Sequence, residues 1–248
     1  MKPSVRSQLL LGGFGFLFAV IGTQATAATS VKSVPDTLEQ RLAACAECHG
    51  ESGRGIAEHP KVPRLAGKPA GYLYKQLQAF KNGQSPNSAM AYVVRQLSPE
   101  YMQTIARYYA SQQVPYTEQK LPKITEQELA RGEELAKHGD PEHGVPACQR
   151  CHGNALTGVT PMIPGIINQP YDYTHAQLDL WRSNTRSIQS THCMWVVATR
   201  MKQSDVKAVS AWLASQKPPA NPHPITVNEL SEPLPEWCRL EHSGVDTQ

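Results

Sequence analysis

This 248-residue chain has no large excess of charge of either sign. Its 24 Lys and Arg nearly balance its 21 Asp and Glu, which gives a formal net charge of +3. A nucleic-acid-binding protein shows a strong basic excess, so the near balance excludes that class of partner. Aromatic residues make up 7% and charged residues 18%, while 40% are apolar, which excludes collagen-like, coiled-coil and low-complexity chains. Cysteine is scarce too. Six cysteines are too few for a disulfide scaffold of this length, so their spacing must carry the meaning.

Long apolar runs are also missing. The longest, Leu9–Ile21, has 13 residues, which is short for a membrane span of about 20. Lys2 and Arg6 precede it and Ala25-Thr26-Ala27 follows it, the order of a secretory signal with a small-x-small cleavage site. We therefore predict a signal peptide over residues 1–27, cleaved near Ala27, and export to the periplasm, an oxidising compartment. An uncleaved membrane anchor is the alternative.

The chain repeats itself once. The pattern Cys-x-x-Cys-His occurs at Cys45–His49 and, 103 residues later, at Cys148–His152, each time followed by Gly. A Pro, a Gln-Leu pair, a Met and an Ala-Ser-Gln segment then follow in the same order in both halves. A repeat of this length indicates a duplicated domain rather than a solenoid unit. We predict domains at 28–117 (the first half) and 125–217 (the second half), a linker at 118–124 and a Pro-rich C-terminal extension at 218–248.

The periodicity within each half is helical, and no sustained period-two pattern predicts a strand, so the expected fold class is all-α. Asp36 is placed to cap a helix that runs to the first cysteine pair, with Glu39 at its third position. Later helices are predicted to begin at Pro69, at Ser98-Pro99 and at Thr125 with Glu128.

The Cys-x-x-Cys-His pattern matches the chemistry of covalent haem attachment. Two thiols three residues apart on a helix reach the two vinyl groups of one porphyrin, and the adjacent His presents its imidazole to the iron. A zinc site needs four ligands and each cluster offers three, while a redox dithiol needs no His. We therefore predict two haem c groups, attached through Cys45 and Cys48 and through Cys148 and Cys151, with His49 and His152 as proximal ligands.

The opposite axial ligand is predicted from the register of the repeat. Met90 follows His49 by 41 residues, and Met194 follows His152 by 42. We expect Met90 in a loop at 82–89, where its thioether can turn to the iron, and Met194 in the matching place. Met162 is a competitor in the second half, with no partner in the first.

Two prolines occupy matching places after the motifs. A ligating His usually donates its other N–H to a carbonyl, and proline presents a rigid one. Pro63 and Pro164 are placed to accept these bonds, although simple turn prolines are the alternative. Five cations are expected on a solvated face, where they also offer partners to haem propionates: Lys75, Lys81, Arg182, Arg186 and Arg200.

These residues together resemble the di-haem class I cytochromes c of the cytochrome c4 type. The resemblance rests on Cys-x-x-Cys-His-Gly in each half, on Pro63–Gly67 and on Tyr72–Gly83, and it covers roughly residues 36–216. It implies two tandem cytochrome c-like domains about a pseudo-twofold axis, each wrapped around one covalent haem c, and periplasmic one-electron transfer. It assigns Met90 to the first haem and Met194 to the second.

Two cysteines and the extension depart from this resemblance. Cys193 and Cys238 are extra, and in an oxidising compartment the simplest account is a disulfide that fixes the extension near the second haem. A Cys193 thiolate as axial ligand and a bis-His iron through His192 are the rival hypotheses.

The resulting prediction is a periplasmic di-haem cytochrome that carries single electrons between redox partners of a respiratory chain, such as a terminal oxidase or a dehydrogenase. No catalytic residues are predicted, and peripheral membrane association is left open. A di-haem enzyme resembling the thiosulfate dehydrogenases is the alternative; the absence of cysteine between Cys48 and Cys148 speaks against it, while Cys193 keeps it open. A haem subunit of a membrane dehydrogenase is the third hypothesis.

Overall fold

The computed structural model describes residues 37–186 and 192–238. The predicted signal peptide at 1–27, its cleavage site near Ala27, the residues at 28–36 and the end of the extension at 239–248 lie outside the described residues.

The first half is built from short helices joined by long loops. They are α1 (Leu38–Arg41), α2 (Ala43–His49), α3 (Ala70–Lys81), α4 (Ser88–Val94) and α5 (Pro99–Ser111).

The second half repeats this order. Its helices are α6 (Glu126–Lys137), α7 (Cys148–His152), α8 (Tyr171–Arg182), α9 (His192–Arg200) and α10 (Gln203–Ser215). A two-stranded antiparallel hairpin, β1 (Gly158–Val159) and β2 (Ile163–Pro164), is the small departure from the expectation of no strands. It forms because Gly158 has no Cβ, which would stand 2.6 Å from the Gly165 nitrogen.

The predicted helix starts are mostly confirmed. Ser98 caps α5, and Thr125 with Glu128 forms the capping box of α6. The prediction for Asp36 is wrong by one residue, because Thr37 caps α1 and Gln40 completes its box. The helix also does not run unbroken to the cysteines, since Leu42 separates α1 from α2.

Each half has its own apolar core. In the first half α3 packs on α5, and their buried faces meet around Leu73, Ile105 and Tyr109. In the second half α6 packs closely along α10. The approach depends on Gly132, where a Cβ would stand 2.3 Å from the Ala208 carbonyl oxygen.

The two halves meet through a symmetric pair of main-chain hydrogen bonds. The Tyr72 amide donates to the Pro161 carbonyl (3.2 Å), and the Tyr173 amide donates to the Pro60 carbonyl (3.0 Å). Tyr173 and Pro161 each follow their counterparts by 101 residues. The bonds are therefore exchanged by the duplication, which is the pattern that a pseudo-twofold axis produces.

The extension packs against the second half as far as Cys238. The Ile225 amide donates to the Gly158 carbonyl (3.0 Å), and the Ile225 carbonyl accepts from the Thr160 amide (2.8 Å). Farther along, Ser231 donates to the side chain of Asn154. The domain boundaries at 117, 125 and 217 stay predictions.

Candidate haem-binding sites

The second Cys-x-x-Cys-His motif forms α7 and delivers His152 into the interior. The side chain of His152 is 7% exposed, and its Nδ1 donates to the Pro164 carbonyl at 2.8 Å. The chain turns at once because Gly153 has a φ of +80°, in the region that favours glycine. Since Nδ1 is used for the carbonyl, Nε2 is the ring nitrogen left for a metal.

An apolar cavity opens in front of His152. Cys148, Cys151, Pro164 and Met194 all lie in its wall. The rest of the wall is mainly aliphatic and aromatic, including Leu135, Leu178, Trp181, Val197, Val209 and Leu213. Two thiols, an imidazole and at least one thioether in an apolar cleft are the donor set and surroundings that a covalently held haem requires, so the residues fit the group.

The first motif repeats this geometry. His49 closes α2, is also 7% exposed, and donates from Nδ1 to the Pro63 carbonyl at 2.9 Å. Gly50 follows with a φ of +76°. Cys45 is half-buried and Cys48 is exposed. The proposed proline carbonyls are therefore in hydrogen-bonding contact with the histidines in both halves.

Burial sets the protonation of these groups. It lowers the pKa of His152 to about 4, partly offset by the bond to Pro164, and it lowers the pKa of His49 below its usual range. Neutral imidazole is the form that binds a metal. Burial also raises the pKa of Cys148 to about 12.

Met90 lies on a helix, and the expectation of a loop is wrong. Asn87 caps α4, and its side chain accepts a hydrogen bond from the Met90 amide at 3.0 Å, so the Asn/Ser-rich segment starts a helical turn. Met194 lies on the matching helix α9. Val197, three residues after Met194, lines the second cavity; Val93, three after Met90, is 46% exposed.

Met162 also lines the second cavity, so both sequence candidates reach it. Met162 lies two residues before Pro164, in the turn that leads into β2, and the Pro164 carbonyl of that strand accepts the hydrogen bond from the His152 ring. Met194 comes from a different element, α9.

Cys193 and Cys238 form a disulfide with a Cα–Cα distance of 4.9 Å, while the four motif cysteines form no disulfide. Cys193, Cys238 and Trp237 all line the second cavity, so the extension contributes to its wall. The Cys193 sulfur is committed to this bond and is not a free thiolate. The side chain of His192 lies outside the described residues.

Two buried cations lie between the halves. The sequence predicts Arg186 in solvent and does not identify Lys68. Arg186 is 3% exposed rather than solvated, because its guanidinium bonds Gln76 of the first half and Gln177 of the second. Lys68 is 6% exposed and lines the second cavity from the first half. The available signal for Lys68 was its register, since Gln169 stands at the same place before a proline in the repeat.

Comparison with known proteins agrees with this geometry. The family model described as cytochrome c matches residues 40–131. A protein of Thiomonas intermedia (strain K12) named thiosulfate dehydrogenase electron acceptor is 38% identical over 176 residues, covering 70% of this chain and 79% of that protein. Cytochrome c4 of Thiocapsa roseopersicina is 34% identical over 172 residues, covering 68% and 85%.

Solved structures show the same fold. Reduced cytochrome c4 from Pseudomonas stutzeri has a TM-score of 0.61 and 28% identity, covering 72% of this chain and 96% of that chain. A thiosulfate dehydrogenase from Marichromatium purpuratum has a TM-score of 0.63 and 32% identity over 69% of this chain. This chain spans only 36% of that larger structure. The duplicated His–Pro geometry and these relatives together show that the chain belongs to the cytochrome c family, as a di-haem cytochrome of the cytochrome c4 type with covalently bound haem c.

Proposed function

We propose that this protein is a one-electron carrier whose two haem irons are each held between a His and a Met. The observation that carries the proposal is the duplicated arrangement of a buried His, fixed through Nδ1 to a proline carbonyl, with a Met on the following equivalent helix. The covalent thioether bonds to the haem vinyl groups are assigned to Cys45 and Cys48 in the first half and to Cys148 and Cys151 in the second.

The residues around each iron prepare it for electron transfer rather than for substrate binding. Haem iron supplies the chemistry, since it alternates between the ferric and ferrous states and so stores one electron. The bonds from His49 to Pro63 and from His152 to Pro164 fix the orientation of the two imidazoles. A Met thioether favours ferrous iron and raises the potential. The apolar second cavity excludes water, which disfavours the more highly charged ferric state.

Met194 is favoured over Met162 as the second axial ligand. Met162 belongs to the hairpin that holds His152, whereas α9 approaches from a separate element and corresponds to α4. Val93 matches Val197 by the same register, and we expect its exposed side chain to face the first haem.

The carrier is proposed to accept electrons from a sulfur-compound dehydrogenase, such as a thiosulfate dehydrogenase, and to pass them on to a respiratory partner. The support comes from the relative named as such an electron acceptor and from the similarity to part of a thiosulfate dehydrogenase structure. The enzyme alternative needs an unusual ligand such as a thiolate. Cys193 is bound in a disulfide, and the sequence has no cysteine between Cys48 and Cys148.

Export to the periplasm is proposed from the signal at residues 1–27 and from the disulfide, which needs an oxidising compartment. No helix among the described residues is long and apolar enough to cross a membrane. Stable co-purification with a flavin or quinoprotein subunit would instead support the third hypothesis, a subunit of a membrane dehydrogenase.

Axial ligation is tested by absorbance and electron paramagnetic resonance spectra of Met90→Ala and Met194→Ala. Each variant is expected to lose about half of the long-wavelength Met–ferric iron band, because one iron loses its thioether. Met102→Leu, in the buried core of the first half, and Met162→Leu are matched controls that should keep the band. Loss of the band in Met162→Leu but not in Met194→Ala would reverse the ligand assignment.

The carrier and enzyme hypotheses separate in a reduction assay. Oxidised protein should be reduced by thiosulfate only when a thiosulfate dehydrogenase is present. Rapid, catalytic reduction by thiosulfate alone would support the enzyme, and no reduction in either mixture would remove this donor.

A further inference from the structure

Lys68 extends from the first half into the second haem cavity. It lies between Gly67 and Pro69, just before α3, and its side chain is among the most buried polar groups of the protein. Its Nζ donates to the Gly165 carbonyl of the second half at 2.6 Å. Gly165 directly follows Pro164, whose carbonyl holds the His152 ring. An ammonium group from one half thus lies beside the segment that fixes the proximal ligand of the other.

No carboxylate among the described residues pairs with Lys68. Burial, followed by the positive charge of Arg64, lowers the pKa of Lys68 to about 7. Its Nζ donates to a neutral carbonyl, that of Gly165. A buried cation is costly unless an anion or a polarisable group compensates it. The uncompensated charge therefore acts on whatever group occupies the cavity that Lys68 lines.

The positive charge of Lys68 has no equivalent at the matching position of the second half. The counterpart of Lys68, 101 residues later, is Gln169, which is also buried and also lines the second cavity. Gln169 is neutral. The duplicated positions therefore differ by one charge, and the hydrogen bond from Lys68 to Gly165 places that charge in the second half.

We propose that Lys68 sets the difference in reduction potential between the two haems, by placing a positive charge beside the proximal side of the second haem and so favouring its ferrous state. The proposal rests on the proposed electron-carrier function. A nearby cation stabilises the state with the lower positive charge, and the effect is strong in an apolar cavity because the effective dielectric constant is low. An electron that enters at the first haem then transfers to the second, which has the higher potential. The second haem is therefore reduced first, and internal transfer has a preferred direction.

The test is spectroelectrochemical titration of the holoprotein, the variants Lys68→Gln and Lys68→Met, and the control Lys61→Gln, which neutralises an exposed lysine of the same half. Measurements at pH 6 keep Lys68 protonated. Each haem is assigned from the spectra of Met90→Ala and Met194→Ala. Both Lys68 variants should shift electron partition between the haems at least tenfold toward the first, equal to about 59 mV for one electron. The control should leave the partition unchanged.

Several results would overturn the proposal. One is an unchanged separation of potentials in both Lys68 variants, another is an equal shift of both haems, and a third is a rise in the second potential. The native protein gives a check that needs no variant, since its second haem must have the higher potential. Haem content and the Met–iron band report on ligation separately. Normal spectra with unaltered potentials would therefore refute the role of Lys68 and leave the electron carrier intact.

Discussion

Loss of the Cys193–Cys238 disulfide is expected to destabilise the second half selectively. The bond joins residues 45 apart in sequence and ties the extension to α9, the helix that carries Met194. For a closed loop of this length, the chain-entropy model gives a stabilisation of about 4 kcal/mol, with roughly 2–4 kcal/mol as the usual range. The double variant Cys193→Ser/Cys238→Ser removes the bond without leaving an odd thiol.

Urea denaturation of the ferric protein, followed through the Met–iron band, measures this loss. The half of the band that depends on Met194 should disappear at a lower urea concentration than in the native protein. The half that depends on Met90 should change little, because the extension contacts described above are with the second half. The matched control is native protein whose disulfide has been reduced and alkylated, after which the thiol reagent is removed and the haems are returned to the ferric state. It should behave like the variant, since thioethers resist such reagents. A loss below about 1 kcal/mol would refute the view that the bond fixes α9.

Three further predictions concern the second half. Gly132→Ala should cost about 1–3 kcal/mol, because its methyl group cannot fit against the α10 backbone; an unchanged melting temperature would contradict this packing. Arg131→Met should cost about 1–3 kcal/mol in urea unfolding, because it leaves the buried carboxylates of Asp140 and Asp205 without their shared donor. Glu128→Gln should flatten the acid limb of stability. Bonds to Lys207 and Thr125 lower the Glu128 pKa to about 2, so its contribution is present above about pH 4.3, the usual Glu value, and is lost as the pH falls toward 2. Equal acid limbs in the variant and the native protein would contradict it.

The sequence was sufficient for the parts of the site that depend on local order. Cys-x-x-Cys-His fixes the histidine at a helix end, and the spacing to Pro63 and Pro164 correctly brought two carbonyls to the two imidazoles. Local capping rules also located the starts of α5 and α6.

What was missed from the sequence has two causes, a local helix cap that was not recognised and contacts between distant segments. Met90 was expected in a loop, but the cap from Asn87 turns seven residues into α4. Arg186 was expected in solvent, but Gln76 and Gln177 enclose it from both halves. Such burial follows from the packing of one half on the other, which no local pattern reports.

The reciprocal amide–carbonyl bonds of Tyr72 and Tyr173 also affect how the sequences of the two duplicated halves can diverge. Because main-chain atoms make these bonds, most side-chain substitutions where the two halves meet leave the bonds in place. The separation between the two redox centres is thereby insulated from mutation, while individual side chains such as Lys68 and Gln169 remain free to differ. Symmetric main-chain contacts of this kind let substitutions change the reduction potential of each haem without altering the distance that an electron must travel between them.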